Sequence, residues 1–193
     1  IVMAIAIAQS IAPTVGGYLN LWAGWNAIFY VSLCMGAVAL VVAALQLPET
    51  CHERSESLRI KPVIERYAQV FHSAGYLGYA LSTTFIAAAF YMFVGSAPYI
   101  VDRLGGNSAQ FGTWFLAVSL AFMAGSFLST RLARRASIDQ VVLAGNLTSL
   151  TGAVCLLLFA LGGALNFMTL FMPMALVTFG RGLSQPNAQS AAI

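Results

Sequence analysis

The stretch Ala12-Pro13-Thr14-Val15-Gly16-Gly17 decides the fold, because it lies deep inside an uncharged apolar run that begins at Ile1. A proline there removes a backbone donor and crowds the preceding turn, so a helix must bend or loosen at that point. Lipid tolerates such a break only where neighbouring helices satisfy the freed backbone groups. Gly16 and Gly17 expose bare backbone beside the bend and let a second helix approach closely. A bent helix with a flat face is a packing joint, and the remaining chain reads as what packs on it.

The surrounding composition fixes the solvent. Hydrophobic residues make up 60% of the 193 and charged residues 8%, against about a quarter charged in a soluble domain. The chain is therefore expected to be an all-α integral membrane protein. Its uncharged runs suit spans of ~20 residues, the length of a transmembrane helix, rather than the ~10 of a barrel strand. Both ends read as cut from a longer chain, and no signal peptide is recognisable at Ile1.

Six spans follow in order, with approximate limits 1–21, 27–47, 75–101, 110–130, 140–161 and 167–183. The tryptophan-rich turn from Trp22 to Asn26 suits a membrane interface, and the sixth span is expected to end near Gln185-Pro186-Asn187. Between the second and third spans, Glu49 to Arg66 forms the one extended charged segment. Within and beyond it, Pro62 opens a pattern of Val63, Ile64, Tyr67, Val70 and Phe71 that predicts a short amphipathic surface helix to His72. Loops on one side carry Arg54, Arg59, Lys61, Arg66, Arg131, Arg134 and Arg135, with Arg181 near the same side, against Arg103 on the other. Positive charge accumulates on the cytoplasmic side, so the linker and the 131–139 loop are expected to face the cytoplasm.

Candidate functional groups sort by location. Ala117, Ala121 and Gly125 recur every fourth residue and line one face of the fourth span, a partner for the Pro-Gly-Gly joint. Aromatic and small residues in the third span, among them Phe90, Tyr91 and Phe93, suit the wall of an adaptable apolar cavity. Tyr91 stands out because its hydroxyl seeks a partner in a dry site. Gln9, Asn146, Gln185 and Asn187 are the polar groups of note, and Phe179 joins the cavity candidates on the sixth span. Amides of this kind more often bond a neighbouring helix than a substrate.

Other chemistry finds no residues to rest on. No Asp, Glu, Lys or His falls within a predicted hydrocarbon core, with Asp102 and Asp139 at its borders. If the protein moves protons, the carboxylate that carries them is expected elsewhere in the protein. His52 and His72 are isolated, so no metal and no cofactor is expected. Cys34, Cys51 and Cys155 are too few and scattered for a disulfide framework. No nucleophile–base pair or phosphate loop supports an enzyme, and the net charge of +3 is spread through loops without a nucleic-acid patch.

Four ordered motifs carry a resemblance. Ala12-Pro13-x-x-Gly16-Gly17 resembles the antiporter motif on the fifth helix of major-facilitator drug exporters. Gly24-Trp25-Asn26-Ala27-Ile28-Phe29 and Leu47-Pro48-Glu49-Thr50 are similar to the stretches flanking the sixth helix of the bicyclomycin/chloramphenicol (Bcr/CflA) exporter subfamily. Gly95-Ser96-Ala97-Pro98-Tyr99 fits that subfamily's seventh helix, and Gly182-Leu183-x-x-Pro186-Asn187-Ala188 its tenth-helix end. Ala12 replaces a glycine of the broader motif, and Asn26 stands where an arginine is common.

The resemblance implies helices five to ten of a twelve-helix bundle. Residues 1–48 would then be the last two helices of the N-terminal bundle, 49–73 a cytoplasmic linker, and 74–193 the first four helices of the C-terminal bundle. It further implies a bacterial inner-membrane drug:proton antiporter working by alternating access, with small drug-like substrates, protons and the lipid bilayer as partners. Ala12, Pro13, Gly16 and Gly17 would form the joint with the fourth span, and Arg131, Arg134 and Arg135 a cytoplasmic gate. Gln9, Phe90, Tyr91, Phe93, Phe179 and Asn187 would be cavity candidates. A major-facilitator carrier for a sugar or organic acid and a non-transporting membrane protein are the alternatives.

Overall fold

The structure, a computed structural model, describes residues 2–48 and 72–191. Six helices occupy them: α1 (Val2–Ala23), α2 (Trp25–Gln46), α3 (Ala74–Arg103), α4 (Ser108–Leu132), α5 (Ile138–Leu161) and α6 (Phe167–Ala191). There is no strand among the described residues. Among the described residues, α2 to α6 are each long and apolar enough to cross a membrane. Residues 49–71, which hold the whole charged segment and all but the last residue of the expected amphipathic helix, lie outside the described residues.

The helix limits follow from local chemistry. Gly24 separates α1 from α2 with φ of 75°, a left-handed conformation that glycine adopts without strain. Asn107 and Ser137 each start a helix with a reciprocal capping box, accepting from the backbone of Gln110 and Gln140, whose side chains bond back to the cap. The sixth helix differs from its expected end near Gln185-Pro186-Asn187: it continues through Pro186 to Ala191. Pro186 forfeits a single backbone bond, and the following residue restores the anchorage, since Asn187 Nδ2 donates to Ser129 Oγ on α4 at 2.7 Å. Buried among neighbours, α6 holds a helical course that the isolated sequence motif does not suggest.

Helix α6 is the hub, packing along α4 and α5 and more lightly on α3, while α1 lies along α4. The core sits where α3, α4 and α6 converge, with Phe93, Phe115, Leu170, Phe171 and Met174 almost wholly enclosed. Phe93 meets Phe171 edge-on at 5.8 Å between ring centroids, and Trp114 stacks between Phe167 and Phe171 at 6.1 Å from each. Helix α2 buries none of its residues and contacts α1.

Hydroxyls tie these helices together where hydrocarbon offers no other partner. Thr178 Oγ1 donates to Val118 O at 2.8 Å, Ser149 Oγ to Val177 O at 2.9 Å, and Ser129 Oγ to Leu183 O at 2.9 Å. Glycines permit the approach: a Cβ on Gly145 would stand 2.6 Å from Gly180 O, and one on Gly152 2.6 Å from Pro173 O. Small residues with cross-helix hydrogen bonds are the means by which membrane helices associate without a hydrophobic drive.

Candidate functional site

The joint between α1 and α4 is built from the residues around Pro13. Gly17 is buried, and a Cβ there would collide with the Ser108 carbonyl, closer than real Cβ atoms come. A Cβ on Gly112 would lie 3.0 Å from Thr14 Cα and 3.2 Å from Pro13 O. Thr14 Oγ1 donates to Gly112 O at 3.0 Å, and Asn20 Nδ2 donates to Ser108 Oγ at 2.8 Å. Two backbones thus touch along an antiparallel seam running from Pro13–Gly112 to Asn20–Ser108, locked by a polar bond at each end.

The seam uses some of the expected residues and not others. Pro13 and Gly17 lie on it, whereas Ala12 is exposed and a Cβ on Gly16 would meet nothing within 4 Å. Gly125 faces the other way: its Cβ position runs into Phe179 O on α6, because α4 presents that turn to the hub rather than to α1. Ala117 and Ala121 are half-buried further along α4. The antiparallel run carries them toward the part of α1 whose side chains, Gln9 included, lie outside the description. Sequence spacing missed Gly112, which sits off the four-residue register of 117, 121 and 125, and Thr14 and Asn20, whose polar groups lock the seam.

The expected gate arginines occupy the α4–α5 turn. Arg131, Arg134 and Arg135 are all exposed, and the Arg131 guanidinium rests 4.5 Å from the Phe127 ring centroid. At the same end of the bundle, Tyr79 OH donates to Asp139 in the first turn of α5. The charged groups of this end are solvent-facing, as a membrane border requires.

The cavity candidates divide. Phe90 and Phe93 are buried, Phe179 is half-buried, and Tyr91 is 58% exposed. Asn187 is buried, and its Nδ2 also donates to Leu183 O at 3.3 Å, so it acts as an α4–α6 tie. An apolar groove of about 350 Å³ runs between α3, α5 and α6, lined by Met92, Phe93, Ile100, Leu156 and Met174 among others. A second of about 290 Å³ holds Ser82, Phe85, Asn146 and Ser149, with Asn146 Nδ2 donating to Ser82 Oγ at 2.7 Å.

Phe90 and Tyr91 meet a residue that the sequence reading left near the loop side. Arg181 lies in the interior of α6, only 5% exposed. Its guanidinium sits 4.5 Å from the Phe90 ring centroid, 5.5 Å from Phe122 and 5.9 Å from Tyr91. Its Nε donates to Gln185 Oε1 at 2.9 Å, one turn on. Ending the sixth span at 183 placed Arg181 at a border. The available signal was its position: a helix of ordinary membrane length beginning at Phe167 carries residue 181 well inside the bilayer.

Comparison with known proteins agrees with this architecture. The family model described as Major Facilitator Superfamily matches residues 1–193. An uncharacterized MFS-type transporter of Bacillus subtilis is 30% identical over 130 residues, which is 65% of this chain and 32% of that protein. A bicyclomycin resistance protein homolog of Haemophilus influenzae is 27% identical over 146 residues, covering 74% of this chain and 36% of the relative. A chloramphenicol resistance protein of Acinetobacter baumannii is 24% identical over 180 residues, covering 92% and 43% respectively. The matches span less than half the length of these relatives.

Proposed function

The chain belongs to the major facilitator superfamily, and on that premise we propose that it is part of an exporter of small amphipathic drugs. In this reading it supplies helices five to ten of twelve, with residues 1–48 closing the N-terminal bundle and 74–193 opening the C-terminal one. The linker and the α4–α5 turn face the cytoplasm of a bacterial inner membrane. Arg131, Arg134 and Arg135 then help close that side.

The observation that carries the reading is the α1–α4 seam. It joins a helix that precedes the linker to one that follows it, with Gly17 against Ser108 and Gly112 against Thr14. A tight, smooth contact between the two halves is what a rocking, alternating-access machine needs along its axis. The family relationship and the resistance proteins among the relatives support drugs as substrates. Proton antiport completes the reading, and its carboxylate is expected in the rest of the protein.

The test uses the full-length protein in an efflux-deficient bacterium. Wild type, Gly17→Leu and an empty vector are compared for susceptibility to chloramphenicol and bicyclomycin at matched membrane expression. Wild type is expected to raise resistance and Gly17→Leu to lose it. Resistance that survives the leucine refutes the joint. A wild type no better than empty vector refutes drug export.

A further inference from the structure

Two kinds of bond cross the α1–α4 seam, and they differ in what parting them leaves behind. Thr14 Oγ1 donates to the backbone oxygen of buried Gly112 at 3.0 Å. That pair lies near the middle of α1, beside the Pro13 carbonyl, which a Cβ on Gly112 would approach within 3.2 Å. Polar groups parted at mid-membrane depth find no water to replace their partner. Asn20 Nδ2 donates to Ser108 Oγ at 2.8 Å, and both side chains are only half-buried. They stand at helix ends, Asn20 in the last turn of α1 and Ser108 as the first residue of α4. On the exposed side of the seam, the Tyr18 and Thr113 hydroxyls lie 3.5 Å apart. Side chains placed like these exchange a protein partner for water at small cost.

We infer that the Asn20–Ser108 bond is a latch on the outer end of this joint, and that Thr14–Gly112 is the pivot about which that end opens. The inference rests on the alternating-access reading proposed above. There α1 and α4 belong to different halves, and the end of the seam away from Arg131, Arg134 and Arg135 faces outward. Asn20 lies six residues beyond Thr14, a lever of about 9 Å along the helix. A rigid-body rotation of about 15° moves Asn20 by about 2 Å. The bond then goes from 2.8 Å to beyond useful geometry while Thr14 keeps its place. Between the two, Gly17 lies flat against the Ser108 backbone with no side chain to catch, so the surfaces part and close cleanly. Once apart, Asn20 and Ser108 both turn to water, and the latch can be remade. Its strength sets the balance between the closed and the open outer end.

The experiment measures a distance in the full-length protein, reconstituted in lipid, with its other cysteines replaced by serine. Spin labels are attached through Ala23→Cys at the end of α1 and Arg103→Cys at the end of α3, both exposed positions. Double electron–electron resonance should resolve a nearer and a farther population, separated by about 3 Å. Asn20→Ala and Ser108→Ala should each raise the ratio of farther to nearer about threefold, the worth of one cross-helix polar bond. The double variant should shift no further than either single, because one bond is lost once; each single serves if the other does not fold. Unchanged populations in either folded variant overturn the latch and leave the bond a static tie. Additive shifts in the double variant overturn it as well, since each side chain then acts alone. No drug is involved, so a protein whose populations respond but which confers no resistance fails the export reading alone. Unmoved populations in a protein that does confer resistance fail the latch alone.

Discussion

A single added methyl group at Gly17 should separate α1 from α4, and the structure sets the size of the effect. The Cβ of Gly17→Ala would overlap the Ser108 carbonyl and stand 3.2 Å from its carbon. Both are backbone atoms and cannot swing aside, so α1 must retreat by on the order of 1 Å to restore van der Waals distance. That retreat carries the Thr14–Gly112 bond from 3.0 Å and the Asn20–Ser108 bond from 2.8 Å to or past the limit of useful geometry. Overpacking costs about 1–3 kcal/mol, and each cross-helix polar bond in a membrane about 0.6 kcal/mol, so the expected loss is about 2–4 kcal/mol. Gly112→Ala is milder, because its Cβ would sit 3.0 Å from Thr14 Cα and 3.2 Å from Pro13 O, and costs about 1 kcal/mol.

The two changes share one seam, so their effects must couple. Once Gly17→Ala has moved α1 away, the methyl of Gly112→Ala finds room, and the double variant should be hardly worse than Gly17→Ala alone. The coupling is then about 1 kcal/mol, sub-additive. The assay is the unfolding free energy of the full-length protein in mixed micelles, for both single variants and the double. Gly17→Ala combined with Gly152→Ala, on the separate α5–α6 contact, provides the additive reference, within about 0.5 kcal/mol. Gly16→Ala with Gly112→Ala should show no coupling, since a Cβ on Gly16 does not reach α4. Additivity of the Gly17 and Gly112 variants, or coupling through Gly16, would refute the seam.

Two further outcomes concern polar groups in the bundle. Asn187→Ala removes the bonds to Ser129 Oγ and Leu183 O and should lower stability by about 0.6–1.7 kcal/mol while leaving unchanged the range of compounds to which the full-length protein, on the export proposed above, confers resistance; an altered range at intact stability would make Asn187 a ligand contact instead. Ser82→Ala takes the partner of Asn146 Nδ2 in a side chain whose Oδ1 is already buried and unpartnered, at a cost of about 1–3 kcal/mol. Adding Asn146→Leu should recover most of that loss in the same unfolding assay, because apolar replacement of both partners is nearly neutral; a double variant less stable than Ser82→Ala would contradict this.

The fold was legible because its cause is compositional. Long uncharged runs separated by Trp22–Asn26, the charged linker, Asp102–Gly106 and Arg131–Arg135 leave a membrane chain no option but helices with turns at those places. Contacts were legible only in part. Pro13 and Gly17 could be assigned to a joint because a bend beside bare backbone has few other uses. Their partner could not, because α4 carries small residues on two faces. Gly112 serves α1 and Gly125 serves α6, and nothing in a four-residue spacing says which neighbour stands on which side.

Arg181 and Asn187 both lie deeper than an end of α6 near Pro186 implies, and this bears on how α6 works. Reading Pro186 as a terminus moved Arg181 to a border, where an arginine snorkels, whereas Asn187 was expected to bond a neighbouring helix more often than a substrate, and it bonds α4. The helix instead runs on to Ala191, so both are enclosed by α4 and the interior of the bundle. The two then take different solutions to the same burial. Asn187 finds Ser129 and Leu183 O on either side and is satisfied within the protein. Arg181, six residues earlier in the same helix, finds three rings, the Gln185 amide oxygen and the Tyr91 hydroxyl. Had the sequence needed only a filled interior at position 181, an apolar side chain would have packed there without any desolvation cost. On one helix, then, an amide bonded across to α4 and a guanidinium held among the rings of α3 and α4 both face neighbouring helices, so α6 ties the bundle together through its polar residues as well as its apolar ones.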